Sequence, residues 1–147
     1  MTPWSFNERS RLATIIAVGF TGLFYFQAVY GMLATGNRNP AEMATVAIVS
    51  VVLLIVIEAI YHAIIAGRGD EETHDERDRS IQLRGAWVEK LVLEIGVMGV
   101  IGHIVIASQF DRMNVDLFLV GNLLAAVLVA SEMLGRGLEL ILYRRGI

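Results

Sequence analysis

Apolar residues run along this chain in four long blocks separated by short polar stretches. The blocks extend from Leu12 to about Ala34, from Met43 to Ala66, from Ala86 to Gln109, and from Asp116 to about Leu142. Each reaches the ~20 helical residues needed to cross a hydrocarbon core of about 30 Å. A soluble bundle would carry charges through every helix at 3.6-residue spacing, whereas long stretches here carry none. The pattern predicts an all-α integral membrane four-helix bundle, one domain over residues 1–147, with the lipid bilayer as its solvent. The links are GNRNPAE, QFDRMNV and the charged GRGDEETHDERDRSIQLRG. Within the last, DERDRSIQLRG is expected to start the third helix early, in water.

Composition agrees with this reading. Apolar residues make up 55% of the chain and the mean hydropathy is +0.59, while the 18% of charged residues is gathered in blocks. A net charge of −3 without a basic stripe argues against a nucleic-acid partner. The absence of cysteine removes disulfides, thiolate metal sites and cysteine nucleophiles. The first apolar run is too long for a cleaved signal peptide, and no small-residue cleavage site follows it cleanly.

Charge in the links sets an expected orientation. Arg9 and Arg11 precede the first span, Arg68, Arg77, Arg79 and Arg84 lie in the middle link, and Arg144 and Arg145 close the chain. The other two links hold only Arg38 and Arg112. The positive-inside rule then puts both termini and the middle link in the cytoplasm. Trp4, Tyr61, Trp87 and Tyr143 fall near that boundary, where amphipathic rings are favoured. NERSR at 7–11 and DERDR at 75–79 precede the first and third spans, a pattern that a parallel repeat of two helical hairpins would produce.

Ionisable residues inside a span are costly and are candidates for function. Glu58, Glu94 and Glu132 each lie sixteen residues inward of Glu42, Phe110 and Asp116, at one depth in the cytoplasmic half. His62, Lys90 and Arg136 each stand four residues from one of these carboxylates, on the same helix face. The favoured reading is structural, with Glu94 neutralised by Lys90 and Glu132 by Arg136, the long cationic stems reaching toward the headgroups. The alternative is a carboxylate layer that handles protons or cations, since three carboxylates in a dry interior cannot all ionise. A third reading is a zinc, iron or manganese site from Glu58, His62, Glu94 and Glu132. Its Glu-x-x-x-His spacing differs from the Glu-x-x-His of di-iron bundles. No cofactor is predicted.

A neutral polar layer is expected nearer the outside, from Gln27, Ser50, His103 and Asn122, where such side chains bond between helices. His103 reads as a packing histidine. It lies nine residues from Glu94, half a revolution around the helix, so if it points inward Glu94 faces a second subunit. His62 and His103 differ in depth by about 20 Å and cannot be the two axial ligands of one haem. No hydrolase triad, phosphate loop or dinucleotide fingerprint is present.

DERDRSIQLRG at 75–85, GNLLAAVLVASE at 121–132 and LYRRG at 142–146 resemble a group of small bacterial and archaeal four-helix membrane proteins. The resemblance covers most of the second half and picks out Asp75, Glu76, Arg77, Asp78, Arg84, Asn122, Glu132, Arg144 and Arg145. It implies architecture and a prokaryotic cytoplasmic membrane, not a chemistry. The expected function is a non-enzymatic structural, regulatory or accessory module. It is expected to be a homo-oligomer, with Asp75, Glu76, Arg77, Asp78, Arg79 and Arg84 available to dock a membrane-protein partner.

Overall fold

A computed structural model describes residues 4–66, 76–109 and 116–145. Asp75, with the rest of the 67–75 segment, and Arg112 lie outside the described residues. Four helices form, α1 (Phe6–Ala34), α2 (Pro40–Ala66), α3 (Glu76–Gln109) and α4 (Leu117–Arg145). All four are long and apolar enough to cross a membrane. The third begins at Glu76, as the charge order of DERDRSIQLRG led one to expect. The first begins at Phe6 rather than Leu12, because NERSR continues the helix beyond the apolar block.

Local chemistry explains these ends. Ser5 and Glu8 form a reciprocal capping box: Ser5 Oγ accepts from the Glu8 amide at 3.2 Å, and Glu8 Oε2 accepts from the Ser5 amide at 2.8 Å. Gly36 ends α1 with φ 70°, a conformation glycine adopts without strain, and the Asn37 amide bonds back to Met32 at 2.8 Å. Asn39 then caps α2 by accepting from the Ala41 amide at 3.0 Å, with Pro40 in the first turn. Asp116 caps α4 by accepting from Phe118 at 3.0 Å, and it also pairs with Arg38 across the end of the molecule opposite the termini.

The helices lie in the order α3, α4, α1, α2. The fourth helix packs against α3, α1 and, over a short stretch, α2; the first also packs against α2. Among the described residues α2 and α3 do not meet, so the bundle is open on one side. Small residues line the α3–α4 seam. A Cβ at Gly96 would collide with the Val127 side chain, and one at Gly135 would stand 2.9 Å from Glu89 Cβ and 3.1 Å from the Gly85 carbonyl oxygen. Such positions let backbones approach closely where lipid gives no hydrophobic drive. At the end opposite the termini, Tyr25, Val29 and Phe118 form a buried cluster backed by Met43, Val46 and Ala125. Elsewhere large apolar side chains such as Leu23, Ile48, Ile95, Met98 and Leu117 face outward, the expected arrangement for an apolar solvent.

Candidate functional site

Helix α4 carries Glu132, Arg136 and Glu139 at spacings of four and three, which stacks them on one face. Arg136 donates from Nε to Glu132 Oε1 at 2.8 Å and from Nη1 to Glu139 Oε1 at 3.1 Å. Arg11 of α1 approaches the other oxygen of Glu139, Nε to Oε2 2.6 Å. That contact is close but misaligned for a hydrogen bond, so its attraction is Coulombic. Glu139 is 1% exposed, and a buried carboxylate is tolerated only with this degree of pairing. The result is a chain, Arg11–Glu139–Arg136–Glu132, joining the first helix to the last. From α3, Glu89 sits beside Glu132 and Arg136. Gly85 makes room for the Glu139 side chain, which a Cβ there would strike.

Further tethers surround this charged end. Tyr61 donates to the Arg9 carbonyl at 2.6 Å, which holds α2 to α1. The Arg144 guanidinium stacks 3.8 Å over the Trp4 ring and approaches Glu8 at 3.9 Å. Asp78 is buried, with Tyr143 and Gln82 close by, whereas Glu76, Arg77, Arg79, Arg84 and Arg145 are exposed.

A groove of 750 Å³ runs from this end over α1 and α4, between α2 and the near side of α3. Its charged end is lined by Arg11, Glu58, His62, Glu89, Glu132 and Arg136; its middle is lined by Val18, Val51, Leu54, Leu124 and Leu128. The fold thus places Glu58, His62, Glu132 and Arg136 along one end of the same groove. Lys90 and Glu94 do not line it. They are 72% and 60% exposed and pair with each other at 3.7 Å. The expected layer of Glu58, Glu94 and Glu132 is therefore not one cluster, and Glu89 stands where Glu94 was expected. Five residues separate the two on α3, well over a third of a revolution. The four residues proposed as metal ligands are likewise not assembled, since Glu94 faces away. No group of three or more suitable ligands occurs among the described residues.

The outer polar residues divide in the same manner. Asn122 accepts from the Tyr25 hydroxyl at 2.9 Å, while its amide donates to the Phe118 carbonyl at 2.7 Å and touches Met43 Sδ at 3.4 Å. One side chain thereby links α4, α1 and α2. Ser50 is buried but donates to the Val46 carbonyl of its own helix at 2.8 Å. Gln27 is exposed. His103, expected to pack, is exposed as well, because among the described residues α3 has a helical neighbour on one side only.

Sequence reasoning missed Arg11, Glu89, Glu139 and Tyr25 as members of these networks. The signal for Glu139 was present in the Glu-x-x-x-Arg-x-x-Glu spacing of α4. Arg11 carries no such signal, since its place before the first span reads only as a topology charge. Comparison with known proteins adds no further constraint: no family model, curated protein or solved structure matches the chain.

Proposed function

We propose that this chain is a non-enzymatic, multi-pass module of a prokaryotic cytoplasmic membrane, with both termini inside. In this reading the charged end is a clamp rather than a reaction centre. The observation that carries it is the ion chain Arg11–Glu139–Arg136–Glu132, which commits both guanidinium groups and two carboxylates to holding α1 against α4. The exposed Glu76, Arg77, Arg79 and Arg84 support a docking role for the start of α3, and the arginine asymmetry of the links supports the orientation. The resemblance of residues 75–85 and 121–146 to small prokaryotic four-helix membrane proteins points the same way.

A second reading, proton- or cation-coupled transport, is favoured by one observation. Glu58 lines the groove and makes no ion pair or hydrogen bond among the described residues. Proteoliposomes separate the two. The module reading expects no proton, sodium or potassium flux above that of empty vesicles, with Glu132→Gln lowering stability alone. A flux that Glu58→Gln abolishes would replace it with transport. Orientation is checked independently in intact cells, since the chain has no native cysteine. A cysteine at Arg38 should react with an impermeant maleimide, and one at Arg79 should not.

A further inference from the structure

We propose that the groove between α2 and α3 binds a lipophilic amine, its protonated nitrogen held at the charged end and its apolar body lying along the middle. Helices α1 and α4 form the floor, and among the described residues α2 and α3 do not touch, so the site opens sideways toward the hydrocarbon from which an apolar molecule would arrive. Its 750 Å³ falls within the ~300–1,000 Å³ of small-molecule sites.

Charge selects the ligand class. Arg136 is shared by Glu132, Glu139 and Glu89, and Arg11 is taken up by Glu139. Glu58 makes no ion pair among the described residues; the titratable group nearest it on its own helix face is His62. Four carboxylates thus meet two guanidinium groups and the His62 imidazole; Glu89 lies against Glu132 and shares Arg136 with it, so the excess negative charge rests on Glu58, with Glu89 the second carboxylate near it in the groove. An anion would be repelled there. A hydrated inorganic cation would gain nothing from Val18, Val51, Leu54 and Leu128. One positive nitrogen on an apolar body satisfies both halves of the site.

A second observation is independent of charge. Thr21 lines the middle of the groove and is 6% exposed, yet its hydroxyl has no hydrogen-bond partner among the described residues. Buried polar groups are rarely left unpaired, and such a hydroxyl marks a position for a polar atom supplied from outside the protein. A hydroxyl or ether on the body of the ligand would pair with Thr21 once that side chain turns toward the groove.

The test uses the full chain in lipid nanodiscs, with empty discs subtracted, and calorimetric titration of propranolol, an aryl amino alcohol. Naproxen, an aromatic carboxylate of similar size, is the charge control. Saturable one-to-one binding of propranolol is expected, with no saturable binding of naproxen. Losing a charge partner in an apolar site should weaken binding about tenfold or more for Glu58→Gln and for Glu89→Gln. Thr21→Val should weaken it severalfold, and Glu94→Gln, outside the groove, should leave it unchanged. Glu58 holds nothing else, so its replacement removes no structural pair; if Glu58→Gln nonetheless fails to fold, Glu89→Gln and Thr21→Val carry the test. Equal heats from empty discs, binding of the anion, or unchanged affinity in all three groove variants would overturn the proposal. So would efficient disulfide cross-linking between chains through a cysteine at Val51, which would mean that a second copy covers the groove.

Discussion

The two outer helices, α3 and α2, flank the same central pair but are attached in opposite ways. Among the described residues α3 touches only α4, yet does so along a seam where Gly85, Gly96 and Gly135 remove side chains and let backbones close. Helix α2 packs side chain against side chain along α1 and meets α4 only over a short stretch, with Tyr61 on the Arg9 carbonyl and Met43 beneath Asn122 as its polar and sulfur ties. Its most apolar window is only 6% buried. One attachment relies on close approach, which any added atom disrupts. The other relies on side chains meeting side chains, with no glycine in α2 to bring backbones together. The two walls of the groove are therefore held by different kinds of packing.

That comparison can be broken from its strong side first. Glu139→Ala leaves Arg11 and Arg136 facing a buried gap and should cost about 3–5 kcal/mol, read as a fall in unfolding midpoint in detergent. If it is neutral, the clamp is ornamental. Gly85→Ala sets a Cβ against Glu139 and should cost about 1–3 kcal/mol by overpacking, with α3 displaced from α4 in a spin-label distance measurement. Within the central pair, Tyr25→Phe removes one hydrogen bond between α1 and α4 and should cost only ~0.6 kcal/mol. The exposed Lys90–Glu94 pair sharpens the scale at its lower end. Glu94→Gln should change stability by about 0–1 kcal/mol, and a larger loss would show that this face is covered in the membrane. Spin labels on α2 and α4 should give a broader distance distribution than labels on α3 and α4.

How much of this was readable beforehand follows a physical division. Hydropathy depends on each residue's own preference for lipid, so four helices could be placed without knowing their neighbours. Depth along a helix is also read directly, and the i,i+4 pairs Lys90–Glu94 and Glu132–Arg136 both form as spacing implies. Azimuth is different. Whether Glu89 or Glu94 meets Glu132 depends on which side of α3 faces α4, and a hydrophobic stripe cannot reveal that when lipid surrounds the helix. Arg11 and Glu139 lie at opposite ends of the chain, and their meeting depends on α1 and α4 being adjacent. The Asn122–Tyr25 bond has the same origin. Asn122 was recognised as polar at depth, but its partner is chosen by helix order.

The central place of α4 also bears on how the chain is made. Synthesis proceeds from the N-terminus, and α1 and α2 can pair as soon as both have emerged. Helix α3 has no such option, because its sole helical neighbour among the described residues is the last to be translated. Until α4 arrives, the Gly85–Gly96 surface and Glu89 have nothing to close upon, and Arg11 lacks Glu139. A ribosome stalled before residue 117 would thus leave a paired hairpin beside a solitary third helix, a natural substrate for quality-control proteases.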